Sequence, residues 1–325
     1  MQFRLLAGIA ALALMLGACS SGNDTPTGGA SSTPSVDTSV SPLTGLHQGS
    51  PPKNAVFMVK IENTANGEPQ YGVNDADFVV EELVEGGVTR LAAFFYSELP
   101  TRVGHVRSAR TTDIDLAEPL DATILASGGA PKTLRKIKKS ELPFYSYDMR
   151  SPGWSSDPSK HAPYHVLWDL TDLSQTAKAS VPPKPYFNWG HGPRRSDVTK
   201  RATHASVRFS PATTTNWTFS GNGWRRSPER AAAGEAFTPS TLVVIFAPVK
   251  DAGYRDPAGN SVPETVVDGS GRAVIFTGSA ATEATWHKEN RNATMSFRSK
   301  AGKPVTLKPG RVWLEAVPRG GSVTY

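Results

Sequence analysis

Cysteine is almost absent from this sequence of 325 residues, in which Cys19 is the only one. A single cysteine excludes an internal disulfide framework and a zinc site built from several thiolates. The sequence also lacks the Gly-x-Ser-x-Gly, His-Glu-x-x-His and Walker motifs of common hydrolases and nucleotide-binding enzymes. No cofactor is implied, and whether the protein is an enzyme stays open.

Strong charge of one sign is also missing. The net charge is only +6, and the basic residues are scattered along the chain. No aromatic and basic residues combine into a recognisable nucleic-acid-binding module, so we predict no nucleic-acid partner. A modest positive charge suits an anionic envelope surface at least as well.

The lone cysteine follows a secretion signal. Arg4 supplies a positive charge, residues 5–16 form an apolar run, and small residues directly precede Cys19. The run is shorter than the roughly 20 residues of a membrane-spanning helix. The pattern resembles a bacterial lipobox, which predicts a signal peptide over residues 1–18, a lipid on Cys19, and membrane anchoring on the outer face of the cytoplasmic membrane.

Composition divides the rest of the chain. Residues 19–42 are rich in Ser, Thr, Gly and Pro and are predicted to form a flexible tether. Strand and helix patterns alternate over residues 43–180, which predicts an N-terminal α/β-type domain. Residues 181–204 break the periodicity and are interpreted as a connection. Short apolar strands separated by turn residues follow over 205–325, so the predicted fold class is α+β with a mainly antiparallel second domain.

Individual elements can be predicted from these patterns. Strands are expected in the N-terminal half at residues 55–63, 88–98 and 123–129, with helices at 112–122 and 131–141. Residues 74–87 fit either a helical turn or a strand. In the C-terminal half strands are expected at 241–249, 264–268, 272–278, 293–299 and 311–318.

Several motifs resemble a known family. The N-terminal half carries GVNDADFVVEELVEGGVTR (72–90) and VGHVRSAR (103–110), and the C-terminal half carries ATWHKENRNATMSF (284–297) and GKPVTLKPGRVWLEAVP (302–318). Both sets are similar to the two-part YerB-like bacterial lipoproteins, a family of unknown function. The resemblance implies two domains and an envelope location, but no reaction. Relatives carry Pro-His-Asn where this chain has APYHVLW, which makes His165 a candidate site residue.

The segment VGHVRSAR is the sharpest candidate for a ligand site. His105, Arg107 and Arg110 could direct several donors at one anion, because a guanidinium binds carboxylate or phosphate through two parallel hydrogen bonds. The turn Ser127, Gly128 and Gly129 precedes a helix start, where free backbone N–H groups can receive an anion. These residues, with His165, are the predicted ligand-binding set.

Internal ion pairing is the alternative interpretation of the same arginines. Six carboxylates lie close in sequence and could neutralise them without any ligand: Glu81, Glu82, Glu85, Asp113, Asp115 and Glu118. No metal site is predicted, because Pro163 separates His161 from His165 and argues against the helix that would align them. The sequence leaves pairing and ligand binding open.

Aromatic residues concentrate at the end of the first half, between residues 143 and 189. Such clusters hold sugars or peptides in many proteins, although packing between domains explains them equally well. The leading interpretation is therefore a non-enzymatic binder of an anionic or glycan-like envelope ligand, or of a protein partner. The alternative is a cell-wall hydrolase or transferase that uses paired carboxylates, with Glu81, Glu82, Asp113 and Asp115 as candidates.

Overall fold

The computed structural model describes residues 39–178 and 184–325. The predicted signal peptide, Cys19 and most of the predicted tether lie outside the described residues. The described residues belong to one compact unit, Val36–Tyr325. Among them, no helix has the length and apolar character needed to cross a membrane.

Strands dominate the first half of the chain, and three short helices accompany them. The strands are β1 (Phe57–Glu62), β2 (Phe78–Leu83), β3 (Thr89–Phe95), β4 (Val103–Gly104), β5 (Thr123–Ala126), β6 (Phe144–Ser146), β7 (Trp154–Ser156) and β8 (Val166–Trp168). The α-helices are α1 (Thr112–Ala117), α2 (Pro131–Ser140) and α3 (Leu170–Ser174). Short 3-10 turns lie at Ala65–Gly67, Val73–Asp75, Glu85–Gly87 and Glu118–Leu120.

The second half of the described chain contains strands and one 3-10 turn, Arg195–Asp197. Its strands are β9 (Lys200–Arg201), β10 (His204–Arg208), β11 (Thr214–Phe219), β12 (Trp224–Ser227), β13 (Thr241–Ala247), β14 (Val249–Arg255), β15 (Ser261–Thr265), β16 (Gly269–Thr277), β17 (Ala280–Lys288), β18 (Ser296–Ser299), β19 (Pro304–Val305), β20 (Val312–Pro318) and β21 (Ser322–Thr324).

One large sheet joins both halves of the chain. Its order is β19-β18-β17-β16-β13-β20-β2-β3-β1-β5-β6, and β9 pairs with β17. Strand β20 runs parallel to β13 on one side and to β2 on the other. The N-terminal and C-terminal strands are therefore hydrogen-bonded into one continuous surface.

The large sheet buries both of its faces. Helices α1 and α2 cover one face, where Met58, Val80 and Ile137 share an apolar core. The four-stranded sheet β12-β11-β10-β21 covers the opposite face, where Val79, Trp217 and Trp313 meet. A strand buried on both faces shows no alternation of polar and apolar residues, which is why several of these strands are nearly continuous apolar runs.

Most of the predicted elements are confirmed. Residues 55–63, 88–98, 123–129 and 131–141 contain β1, β3, β5 and α2, and α1 ends at Ala117, two residues before Pro119. The segment 74–87 contains both a helical turn and a strand, since the 3-10 turn Val73–Asp75 leads into β2. The strand expected at 264–268 was misplaced, since β15 ends at Thr265.

The α/β character expected for the N-terminal segment is only partly visible. Strands β1, β5 and β6 are parallel, with helices between them in sequence, whereas β2, β3 and β1 are antiparallel. Strands outnumber helices throughout the described part of the chain, which is mostly β-sheet. The described part of the predicted connection is tied into the fold, since Phe187 and Trp189 form bridges to Met295 and Leu307.

Candidate functional site

His105 lies in the interior and is held at both ring nitrogens. Its Nδ1 is 3.0 Å from the Gly67 carbonyl oxygen, and its Nε2 is 3.1 Å from Asp157 Oδ2. The ring orientation of His105 is therefore fixed from both sides. Hydrogen bonds from the Ser159 hydroxyl and amide and from His105 lower the pKa of Asp157 to about 2.

Arg107 and Arg110 each have an internal carboxylate partner. Arg107 forms an ion pair with the buried Glu62, and its guanidinium lies 4.6 Å from the ring centre of Tyr164. Arg110 binds Glu85, with Nε 2.9 Å from Oε2. The internal pairing described as the alternative is therefore present for both arginines.

Glu85 sits between two guanidinium groups. Arg90 Nη2 lies 3.3 Å from Glu85 Oε1, and Arg110 binds the same carboxylate. Burial opposes ionisation of Glu85, but the hydrogen bond from Arg110 and the charges of Arg90 and Arg110 outweigh it and lower the pKa to about 2. Burial, together with the charges of Arg110 and Arg107, lowers the pKa of Arg90 to about 10.

Replacing Glu85 by glutamine is expected to make the protein less stable at neutral pH, by about 3 kcal/mol at most. The pKa of Glu85 falls from 4.5 to about 2 on folding. The stabilisation is therefore complete above pH 4.5 and is lost as the pH falls towards 2. Urea unfolding of Glu85→Gln and the parent across this range should show curves that converge in acid.

The half-exposed pair of Lys136 and Glu264 provides the control, since it should contribute under about 1 kcal/mol. If Glu85→Gln changed the free energy of unfolding no more than Glu264→Gln does at every pH, the stabilising role assigned to Glu85 would be wrong.

The turn at 127–129 lies beside the arginine segment, as the candidate site requires. The Ser127 amide donates to the Arg107 carbonyl at 3.0 Å, and the Ala109 amide donates to the Gly128 carbonyl at 2.9 Å. Gly129 also forms an isolated β-bridge with Ala109. Gly128 has φ +150°, and a Cβ there would meet Asp148 Oδ2 at 1.7 Å, so only glycine fits.

His165 is also close to this segment. Its neighbour Val166 accepts a hydrogen bond from the Val106 amide at 2.8 Å. The His165 ring packs edge-on against Tyr147, with centroids 5.3 Å apart, and its buried Nδ1 has no hydrogen-bond partner within the described residues. The structure thus brings the predicted residues together. Ligand binding by them stays a prediction, because the ionic groups are already paired internally.

A second buried ionic group lies on the same face of the large sheet. The Lys60 ammonium is fully buried and binds Glu82 and Asp113, with Nζ 2.7 Å from Asp113 Oδ1. Burial raises the pKa of Glu82, while the charge of Lys60 opposes this shift. Lys60 is thus a cation shared by two buried carboxyl groups, in a core where an unpaired charge would be strongly destabilising.

The opposite face of the sheet contains a polar pocket of about 200 Å³. Residues from both halves of the chain line it, including Thr64, Glu81 and Thr89 from the first half and Thr215, Arg226 and Arg230 from the second. It lies where β11 and β12 pass over β2 and β3. The pocket is therefore a property of the complete fold rather than of either half.

Two glutamates meet beside this pocket. Glu81 on β2 and Glu315 on β20 are register partners in the parallel pair, and both side chains are fully buried. Burial and the negative charge of Glu81 raise the pKa of Glu315 well above 4.5. Glu315 therefore favours its protonated form more strongly than an ordinary glutamate does.

Hydrogen-bond donors surround Glu81. Its Oε1 accepts from Asn63 Nδ2 at 3.0 Å, Thr89 Oγ1 at 2.7 Å and Thr215 Oγ1 at 3.1 Å. Trp217 Nε1 donates to Glu315 Oε1 at 2.7 Å. These donors tie both carboxyl groups into one buried hydrogen-bond network.

Arg226 extends the network across the pocket. It is buried, donates to Asn63 Oδ1 at 2.9 Å and to Gln70 Oε1 at 2.8 Å, and lies 4.8 Å from the ring centre of Trp313. Two buried oxygen atoms of residues that line the pocket, the Thr64 hydroxyl and Glu81 Oε2, have no hydrogen-bond partner within the described residues, and the Thr64 hydroxyl is the one that can both donate and accept. It lines the pocket and could bind a ligand.

Sequence reasoning found Glu81 as a candidate carboxylate but missed Glu315, Arg226 and Thr64. A usable signal was present in the strands, because Glu315 interrupts the otherwise apolar run VWLEAVP. A charged residue at the centre of such a strand must find a buried partner. No group of three or more His, Cys, Asp or Glu side chains in the described ranges could hold a metal ion.

Comparison with known proteins places the chain among its relatives. It is 24% identical, over 292 residues covering 85% of this chain and 86% of the relative, to a Bacillus subtilis (strain 168) protein named "Putative lipoprotein YerB". The crystal structure of YerB from Bacillus subtilis matches with a TM-score of 0.74 and 19% identity, over 88% of this chain and 99% of that one. Residues 43–182 match the N-terminal domain of the protein family of unknown function DUF3048, and residues 205–314 match its C-terminal domain. The chain belongs to this DUF3048 family.

Proposed function

We propose that this protein is an envelope lipoprotein that binds a glycan-like ligand in the pocket between its two halves. The lipobox-like sequence before Cys19 and the name of the Bacillus subtilis relative support a lipid anchor on the outer face of the cytoplasmic membrane. The observation that carries the binding proposal is the Thr64 hydroxyl, which has no hydrogen-bond partner within the described residues and belongs to a pocket lined by donors and acceptors.

The charge balance of the pocket favours a neutral ligand over an anion. Arg230 pairs with Glu68, and Arg226 lies 3.4 Å from Glu229, so neither cation is in excess. Glu81 and Glu315 are carboxyl groups and add no positive charge here. A ligand with many hydroxyl or amide groups can both donate and accept here, whereas an anion would meet no surplus positive charge.

The size of the pocket limits the part of the ligand that can enter. Its volume of about 200 Å³ is below the roughly 300–1,000 Å³ of sites that enclose a drug-sized molecule. A single sugar ring or the end of a glycan chain is therefore the appropriate unit. The rest of a longer glycan would extend along the protein surface.

Replacing Thr64 by valine is expected to weaken sugar binding about tenfold without destabilising the protein. Valine keeps the shape of threonine and removes a hydroxyl that has no internal partner, while one hydrogen bond to the ligand contributes roughly 0.5–1.5 kcal/mol. Isothermal titration with N-acetylglucosamine and its β-1,4-linked dimer measures the change. Saturation near 100 times Kd should also stabilise the parent by about 2.7 kcal/mol.

Thr241 offers a matched control, because its buried hydroxyl on β13 also lacks a partner within the described residues and does not line the pocket. Thr241→Val should bind the sugars as the parent does. The proposal is wrong if neither sugar binds the parent, or if the two valine variants lose affinity equally. Inorganic phosphate serves as the anionic probe, and stronger binding of phosphate than of sugar would favour the arginine segment instead.

A cell-wall hydrolase or transferase is the second candidate, favoured by the buried pair of Glu81 and Glu315. Glycoside hydrolases separate their carboxyl groups by roughly 5–9.5 Å, to fit the sugar or a water between them. Here Glu81 and Glu315 lie side by side as register partners on adjacent strands, and donors occupy Glu81 Oε1. Binding is thus the better supported function. If the parent released reducing ends from glycan fragments and Glu81→Gln did not, hydrolysis would be better supported than binding.

A further inference from the structure

Helix α2 presents three chemically distinct sides. Its sequence PKTLRKIKKS contains five basic residues and no acidic one. Thr133 and Ile137 are buried, and Ile137 belongs to the apolar core. Residues three and four apart share one side of a helix, so Arg135, Lys138 and Lys139 lie together. All three are exposed.

A different side of α2 is fixed to the hairpin of β14 and β15. Lys132 Nζ donates to the Gly253 carbonyl at 3.2 Å, and Lys136 Nζ lies 2.9 Å from Glu264 Oε2. These contacts use two of the five cations and hold the helix in place. In contrast, no ion pair within the described residues involves Arg135, Lys138 or Lys139. The helix therefore holds three free positive charges on a rigid support.

We propose that the basic side of α2, formed by Arg135, Lys138 and Lys139, docks on anionic phospholipid headgroups of the membrane that carries the anchor. The partner is chosen by charge complementarity, because a flat anionic surface can meet all three side chains at once. The inference rests on the lipid anchor of the proposed function and is independent of the sugar pocket.

The length of the chain before the fold allows this orientation. Twenty residues separate Cys19 from Ser39 and can span at most about 70 Å. A compact unit of this size has a radius of gyration of about 19 Å, so the anchor can reach any side of it. The anchor alone thus selects no orientation, and the basic side of α2 supplies one.

Removing the three charges is expected to weaken vesicle binding about 100-fold, since each basic residue near an anionic surface contributes about 1 kcal/mol, or roughly fivefold. The test uses the chain from residue 36, which contains the whole compact unit and lacks the anchor. Co-sedimentation compares the parent with Arg135→Gln/Lys138→Gln/Lys139→Gln. The vesicles contain phosphatidylcholine and phosphatidylglycerol in equal parts, or phosphatidylcholine alone.

The matched control removes the same charge from scattered exposed positions, as Lys184→Gln/Lys308→Gln/Arg319→Gln. The proposal expects binding only to anionic vesicles, weakening with added salt, with the scattered variant close to the parent. Equal losses in both variants, or no anionic preference, would overturn it. Circular dichroism and sugar titration of each variant show that the fold and the pocket are intact. Mass spectrometry of Cys19 in the full-length protein tests the anchor separately.

Discussion

Replacing Lys60 by methionine is expected to lower the free energy of unfolding by about 3–5 kcal/mol. The Lys60 ammonium is the shared partner of Glu82 and Asp113, and the exposed fractions of these three side chains are 0%, 1% and 0%. Methionine fills the same space but leaves two carboxyl groups in the core without a cation. They must take up protons or remain as uncompensated charges.

The stability lost in Lys60→Met should depend on pH. Burial already raises the pKa of Glu82, and removing the Lys60 charge raises it further. The unfolded chain releases these protons above its ordinary carboxyl pKa, so the penalty grows as the pH rises. Urea unfolding of Lys60→Met and the parent at pH 5 and pH 8 should show a larger difference at pH 8.

Lys136→Met is the control, because it removes a lysine from a half-exposed pair with Glu264 and should cost under about 1 kcal/mol. Adding Glu82→Gln to Lys60→Met should recover part of the lost stability. If Lys60→Met were as stable as Lys136→Met, the buried ion pairs of Lys60 with Glu82 and Asp113 would contribute nothing to stability.

Replacing Glu315 by glutamine is expected to stabilise the protein at alkaline pH and to flatten its stability profile. Burial and the charge of Glu81 raise the pKa of Glu315 well above 4.5. Between pH 4.5 and the folded-state pKa, the unfolded chain has released a proton that the folded chain retains. The stability of the parent therefore falls as pH rises through this range, by up to about 1.4 kcal/mol per pH unit.

Glutamine preserves the local contacts while removing the titration. Its amide can donate to Glu81 and its carbonyl can accept from Trp217 Nε1, which lies 2.7 Å from Glu315 Oε1. Parent and variant should have similar stability near pH 4.5 and diverge above it, as measured by urea unfolding from pH 4.5 to pH 9. The same substitution at the exposed Glu289 controls for loss of a charge. If the free energy of unfolding of Glu315→Gln changed with pH as steeply as that of the parent, Glu315 would not retain an extra proton in the folded state.

Local patterns were sufficient to predict many elements. Helix α2 begins with Pro131 at its first position and has a strongly amphipathic sequence, and β13 is an uninterrupted apolar run. Strand β2 was ambiguous for a physical reason. Both of its faces are buried, so the polar–apolar alternation that identifies a half-exposed strand is missing.

Long-range pairing could not be predicted from these patterns. Glu81 and Glu315 meet only because β20 lies parallel to β2, and no local signal specifies that neighbour. The arginine segment shows the same limit. The sequence offered six carboxylates near Arg107 and Arg110, and the structure selects Glu85 for Arg110 but the unconsidered Glu62 for Arg107.

The position of β20 has a consequence for how this chain can fold. Strands β1, β2 and β3 are complete once residue 95 has been made, but β2 keeps an open edge until residues 312–318 arrive. Such distant pairing slows folding, and an unpaired edge strand is a template for aggregation in the meantime. A growing chain therefore cannot complete the pairing of β2 before its last long strand exists, and the unpaired edge persists for most of its synthesis.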